Sequence, residues 1–104
     1  MSSIKSKTYT FDARVWLYPS ATASWHFVTV PKNISGEIQE TYKDFKRGWG
    51  SLPVAVTIQN TSWNTSIFPD RKSGTYILPL KASVRKAEGI WHKDTISLSI
   101  TITL

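Results

Sequence analysis

The chain contains no cysteine, and this absence excludes several kinds of site. Disulfide bonds, thiolate nucleophiles and cysteine-ligated zinc centres all require that residue. Only two histidines are present, His26 and His92, and neither has a set of His, Asp or Glu around it at metal-ligand spacing. The sequence therefore predicts no metal site and no cofactor.

Long apolar runs are also missing. No stretch approaches the length of a membrane span, and residues 1–7 are too polar to form a signal peptide. We therefore expect a cytoplasmic protein that makes no membrane contact.

Familiar catalytic patterns are absent as well. The sequence has no glycine-rich phosphate loop, no serine in a nucleophile elbow, and no closely spaced pair of acids of the glycosidase type. An enzyme would have to assemble its site from separated residues such as Asp12, Glu40, Asp94 and His26. We therefore predict no catalytic residues and favour a non-enzymatic protein.

Acidic residues are scarce, with seven Asp and Glu against thirteen Lys and Arg, which gives a net charge of +6. Such an excess favours anionic partners by long-range attraction, whether nucleic acid, phosphorylated metabolites or acidic protein surfaces. An alternative is that the lysines serve only to keep the protein dispersed. Charge alone does not choose among these partners.

Aromatic and aliphatic residues are plentiful. Five Trp, four Tyr and four Phe, within 40% hydrophobic residues overall, can supply the core of one domain spanning residues 1–104. Alternating patterns and breakers predict a mainly β chain with two helices. The predicted strands are 7–18, 25–30, 54–59, 63–68, 75–80 and 95–104. A first helix is predicted to carry Ile38, Tyr42 and Phe45 on one side, after an Asn33 or Ser35 cap, and a second helix is predicted at 82–88.

The order of these elements occurs twice, which predicts a pseudo-duplicated barrel with halves at about 7–59 and 62–104. Tyr18-Pro19 corresponds to Phe68-Pro69, and Trp49 corresponds to Trp91. Each half reads strand, strand, helix, strand, and two such units can close one small barrel with a helix at either end. Chance similarity between short strands is the alternative.

Several ordered blocks, including Trp25-His26-Phe27-Val28, residues 47–54, residues 63–70 and Leu78-Pro79-Leu80-Lys81-Ala82, make the chain resemble the domain-of-unknown-function family 1905, known from bacterial proteins. The resemblance spans nearly the whole chain. It implies a double-split β-barrel related in topology to the swapped-hairpin barrels of transition-state-regulator and antitoxin DNA-binding domains, and it implies no activity. Lys93 stands before Asp94 where the family usually has glycine.

The sharpest functional pattern is a basic second helix with its flanking loops. Lys81 and Arg85 are four residues apart and share a helical face. The candidate anion-binding residues are Arg71, Lys72, Lys81, Arg85, Lys86 and Lys93. A solvated helix face, with Arg85 paired to Asp94 or Glu88, is the alternative and is slightly favoured for Arg85 alone.

Trp49, Trp63 and Trp91 form a candidate aromatic platform for stacking a ligand ring. The matching places of Trp49 and Trp91 favour a different role, in which both indoles plug the barrel ends. Trp16 is out of phase with its strand, so we expect it on the opposite side of the sheet, toward solvent, a helix or a second subunit. His26 is expected to point outward or to be hydrogen-bonded at the rim.

These patterns together predict a binding module that uses the basic helix for an anionic partner, with nucleic acid favoured. The alternative is small-molecule binding, or slow chemistry, at a Trp-lined barrel mouth. Both a monomer and a homodimer are compatible with the sequence.

Overall fold

A computed structural model describes residues 6–18, 25–45 and 50–103. Strands make up 55% of it, so the prediction of a mainly β chain with two helices is confirmed. The elements in chain order are β1 (Ser6–Arg14), β2 (Trp16–Tyr18), β3 (Trp25–Thr29), α1 (Lys32–Thr41), β4 (Leu52–Ile58), β5 (Thr61–Asp70), β6 (Thr75–Pro79), α2 (Ala82–Glu88) and β7 (Thr95–Thr103).

The seven strands form one antiparallel sheet, in the order β1-β7-β4-β5-β6-β3-β2, which curls into a half-barrel. Strand β5 takes part in two pairings. Its residues up to Ile67 pair with β4, and Phe68–Asp70 pair with β6. The predicted first strand is broken in the same way, because Val15 separates β1, which pairs with β7, from β2, which pairs with β3.

Alternation along each strand places one set of apolar residues inside the curl. In β4, for example, Leu52, Val54, Val56 and Ile58 are buried and the residues between them are not. The two helices add Ile38 and Val84 to the same core. The core residues with no exposed surface are Val28, Val30, Ile38, Tyr42, Leu52, Val56, Ile67, Leu78, Ile100 and Ile102.

Helix α1 begins earlier than its predicted cap and ends at Thr41, so the prediction that it carries Phe45 is wrong, and Phe45 is exposed beyond the helix. Pro31 occupies the N-cap position without a side-chain hydrogen bond, so the prediction of Asn33 or Ser35 as the cap is wrong. Proline suits this place because the first amides of a helix have no intrahelical acceptor. The Ser35 side chain instead donates to the carbonyl of Val30 at 3.0 Å and accepts from the amide of Tyr76 at 3.0 Å.

Helix α2 has the predicted bounds and ends at Gly89, whose φ of 64° lies in the left-handed region that glycine tolerates. The Ile90 amide then donates to the carbonyl of Arg85 at 2.9 Å, which closes the helix. Ile90 turns inward and is buried, while Trp91 is exposed. The turn at Gly89 therefore sets which residues surround the second helix.

A candidate anion-binding cleft beside the second helix

Two adjoining hollows lie on either side of α2, and together we name them the α2 cleft. The first has a volume of about 390 Å³ and the second about 610 Å³. They share His26, Ala82 and Arg85 in their walls. The first hollow is also lined by Trp25, Trp63, Asn64, Thr65, Pro79, Leu80 and Lys81, and the second by Leu17, Lys86, Gly89, Ile90, Trp91 and His92.

Arg85 holds the central position in this cleft. Its Nε–H donates to the carbonyl of Leu80 at 3.1 Å, which fixes the plane of the guanidinium group. The predicted carboxylate partners are engaged elsewhere, because Glu88 accepts from the Thr61 hydroxyl and Asp94 accepts from the Trp91 amide. The ion pair proposed for Arg85 with these acids is therefore wrong.

His26 forms the wall between the two hollows. It lies on the inward face of β3 with Val28 and is only 9% exposed. Two environments were expected, an outward orientation or a hydrogen bond at the rim, and the outward orientation is wrong. The alternation of β3 explains this, because Trp25 and Phe27 take the outward positions on either side of it. His26 thus brings a ring nitrogen donor or acceptor to the base of an otherwise largely apolar hollow.

The predicted cations are divided by the fold. Lys81, Arg85 and Lys86 line the α2 cleft. Lys93 lines a separate hollow of about 490 Å³ with Arg14 and Trp16. Arg71 and Lys72 lie in the exposed turn between β5 and β6, which is at the end of β6 opposite α2.

The predicted tryptophans also differ from one another. Trp63 is half-buried, packs against the core and lines the first hollow. Trp91 is 71% exposed and lines the second, so the interpretation of Trp91 as a barrel plug is wrong. It follows Ile90, which fills the inward position instead. Trp49 lies outside the described residues.

Sequence reasoning missed Trp25 as a residue of the cleft. Trp25 is 54% exposed and lies beside Lys81, because the amide of Leu80 donates to the carbonyl of His26 at 2.9 Å. An exposed indole next to the cation that caps α2 is visible only once β3 and β6 are paired. No spacing within either segment indicates it.

Groups with shifted pKa values lie away from this cleft. Hydrogen bonds from Lys7 and Tyr9 lower the pKa of Glu37, and burial together with Glu37 raises the pKa of Tyr9. Burial also raises the pKa of Tyr42 and of Tyr76. Within the described residues, no such group lines the α2 cleft, no cluster of three His, Asp or Glu could hold a metal, and no helix is long and apolar enough to cross a membrane.

The chemistry available in the α2 cleft is therefore recognition of charge and of flat rings. Three cations, three indoles and two imidazoles surround it. A guanidinium pairs with phosphate or carboxylate oxygens, and indoles stack on aromatic ligands.

Comparison with known proteins agrees with the family resemblance. A search of curated proteins finds no match to the chain. The family model described as Domain of unknown function (DUF1905) matches residues 11–100. Because this match covers most of the chain, the protein belongs to the DUF1905 family.

Proposed function

We propose, first, that the chain is a double-split β-barrel built from two related halves, with a helix at either end. The hydrogen bonds support this. The Val30 amide donates to the carbonyl of Tyr76, and the Leu80 amide donates to the carbonyl of His26, both at 2.9 Å. Val30 and Leu80 each follow their strand, and His26 and Tyr76 are each the second residue of theirs, so the two bonds are equivalent when β3 and β6 are exchanged.

A second pair of contacts follows the same exchange. Ser35 on α1 donates to the carbonyl of Val30, the residue after β3. Arg85 on α2 donates to the carbonyl of Leu80, the residue after β6. Closure of the barrel is supported at Val15, because this single residue joins β1 and β2, which are the two edge strands of the sheet. Matched hydrogen-exchange protection of the Val30 and Leu80 amides is expected if the halves are equivalent.

We propose, second, that the protein is a binding module whose α2 cleft holds an anionic ligand that carries an aromatic ring, such as a nucleotide. The observation that carries the proposal is the place of Arg85 in the wall of both hollows, with its guanidinium oriented by Leu80. An oriented guanidinium loses less freedom on binding an oxyanion than a free one, which favours affinity.

The surroundings of Arg85 fit a nucleotide better than a bare anion. Lys81 and Lys86 add charge on the two sides of the helix, and both side chains are exposed to solvent. Trp25 and Trp91 offer exposed ring faces beside these cations. A phosphate at Arg85 with a base on either indole would use both kinds of contact.

Isothermal titration calorimetry with uridine monophosphate, uridine and inorganic phosphate tests this proposal. The nucleotide should bind more tightly than either part alone. Arg85→Gln should weaken nucleotide binding at least tenfold, because a hydrogen bond to a charged group contributes about 1.5 to 3 kcal/mol. Lys43→Gln is the control, since it removes one exposed charge near α1, and it should leave binding unchanged.

Absence of any binding heat with all three probes would overturn the proposal. Equal weakening by Arg85→Gln and Lys43→Gln would also overturn it, because general charge rather than the cleft would then account for binding.

A further inference from the structure

The outward side of strands β5, β6, β3 and β2 carries an aromatic surface that shares only Trp25 and Pro79 with the lining of the α2 cleft. We name it the outer aromatic face. Its members alternate with buried inward residues such as Val28 and Leu78. They are Trp16, Tyr18, Trp25, Phe27 and Phe68, with Ile77 and Pro79 between them.

The strand register makes these residues neighbours. Tyr18 pairs with Trp25, Trp16 pairs with Phe27, and Phe27 pairs in turn with Pro79. Further along, Ile77 pairs with Phe68. The face therefore runs without interruption across four strands.

Ring contacts hold part of this face in a fixed arrangement. Trp16 stacks on Phe27 with ring centroids 5.1 Å apart, and its Nε1–H donates to the Thr29 hydroxyl at 2.9 Å. Tyr18 meets the same Phe27 edge-on at 6.2 Å. The outer rings remain open to solvent, with Trp25 at 54%, Tyr18 at 53% and Phe68 at 39% exposure. Rigid rings with open faces lose little entropy when a flat ligand stacks on them.

Cations stand at both ends of the outer aromatic face. Lys81 lies beside Trp25 at one end, and Arg71 and Lys72 lie in the turn beyond Phe68 at the other. Six residue steps of β structure separate Thr75 from Lys81, or about 20 Å. The acid at this edge, Asp70, is already engaged, since it accepts from Ser73 at 2.8 Å and from the Lys72 amide at 3.3 Å.

We propose that the outer aromatic face binds single-stranded nucleic acid, with bases stacked on its rings and phosphates at the cations of its two ends. Exposed aromatic residues on an antiparallel sheet, with cations along the path of the backbone, are the means by which sheet proteins hold unpaired bases. The length of the face suits about four nucleotides, the low end of the site sizes of such proteins.

Charge selects this occupant over a second copy of the chain. The protein carries a net charge of +6, and two copies placed face to face would bring Lys81, Arg71 and Lys72 near like charges. A polyanion neutralises the same residues. Nucleic-acid binding by the outer aromatic face goes beyond the proposed function of the α2 cleft. The two can be tested separately, because Tyr18 and Phe68 line neither hollow of that cleft.

The test measures fluorescence anisotropy of a labelled eight-nucleotide oligothymidine and the matching oligouridine at 50 and 200 mM salt. The double variant Tyr18→Ala with Phe68→Ala should bind at least tenfold more weakly, because each stacked base contributes about a factor of five or more. Phe45→Ala is the matched control, since Phe45 is 45% exposed but follows α1. It should bind like the wild type.

Salt dependence tests the cations separately. Replacing Arg71 and Lys72 together by Gln should reduce the magnitude of the slope of log affinity against log salt by about 1.4, at about 0.7 for each phosphate of a single strand that a cation neutralises. A duplex of the same length should bind more weakly than the single strand, because its bases are already stacked. Circular dichroism of every variant establishes that it is folded.

Four results would overturn the proposal. The first is absence of oligonucleotide binding at 50 mM salt, and the second is binding that the double aromatic variant leaves unchanged. The third is a wild-type dimer in sedimentation that the aromatic variant converts to monomer, and the fourth is binding to phosphatidylserine vesicles that the same variant abolishes without any oligonucleotide binding. Arg85→Gln should weaken mononucleotide binding and keep oligonucleotide binding, because the two ligands are assigned to different sites. If oligonucleotide binding fails while this variant still weakens mononucleotide binding, the proposal for the face fails and the proposal for the cleft stands.

Discussion

The surroundings of the two helices differ although their places in the chain are alike. Each helix follows one strand of the β3–β6 pair and precedes one strand of the β4–β7 pair. The polar side chains of α1, Ser35 and Glu37, form hydrogen bonds to neighbouring strands and loops. The cations and indoles around α2 are exposed to solvent or line the α2 cleft. The difference favours a stabilising role for the contacts of α1, and it fits the proposal that the α2 cleft binds a ligand.

The contacts of α1 are made by a small network. Glu37 accepts from the Lys7 ammonium at 2.6 Å and from the Tyr9 hydroxyl at 3.0 Å, which ties the helix to β1. Ser35, with no exposed surface, bridges Val30 and Tyr76. In α2, by contrast, Arg85 is half-buried and reaches into the cleft.

The largest expected effect comes from the serine of α1. Ser35→Ala should lower the free energy of unfolding by about 2 to 3 kcal/mol, because it leaves a buried carbonyl and a buried amide without partners. Arg85→Gln should lower it by less than about 1 kcal/mol, since the site is partly solvated and glutamine retains an N–H donor. Urea unfolding of both variants measures the difference. Equal losses would contradict the contrast between the helices.

A pair of tyrosine substitutions should act in opposite directions. Tyr9→Phe removes a hydroxyl that donates to Glu37, so it should lower the free energy of unfolding by about 1 kcal/mol. Tyr42→Phe should raise it by about 1 kcal/mol, because the buried Tyr42 hydroxyl has no hydrogen-bond partner among the described residues. Thermal and urea unfolding of the two variants measure the sign of each change in the free energy of unfolding. Destabilisation by both would mean that Tyr42 has a partner.

The smallest effect concerns pH. Hydrogen bonds from Lys7 and Tyr9 lower the pKa of Glu37 in the folded state. Its contribution to stability is therefore present above the ordinary glutamate pKa and is lost as pH falls through the lowered value. Glu37→Gln should make stability fall less steeply between about pH 5 and pH 3 than in the wild type.

The control for this pH experiment is Glu40→Gln. Glu40 forms an exposed contact with Lys43 at 3.3 Å and has no second donor among the residues that the structure describes. Its replacement should leave the fall of stability at acid pH close to that of the wild type, because exposed ion pairs of this kind contribute little to the free energy of unfolding. A change as large as that of Glu37→Gln would assign the effect to general charge.

The prediction of individual elements succeeded where local patterns are strong. The alternation of residues 54–59 and 95–104 and the Gly89 stop of α2 indicated elements close to those of the structure. It failed where a tertiary contact replaces the local one. Ser35 resembles a helix cap in sequence, but its hydroxyl donates to the carbonyl of Val30, just before the helix, and accepts from the amide of Tyr76 in β6. The contact with Tyr76 cannot be seen in the local sequence.

The candidate site shows the same limit. Sequence spacing grouped Lys81, Arg85 and Lys86 correctly as neighbours, because a helix of known period joins them. It also grouped Arg71 and Lys72 with them, although β6 places that turn at the opposite end. Proximity along a chain is not proximity in a sheet.

What the sequence determined by itself is the mainly β class, the two helices, the basic charge and the family, since these depend on periodicity, composition and ordered local blocks. What only the tertiary structure decided is which side chains meet. The pairing of β3 with β6 brings Trp25 to Lys81 and places His26 in the cleft, and the pairing of β2 with β3 and of β5 with β6 joins the outer aromatic face. Strand register is set by the packing of the whole core, so no single segment carries that information.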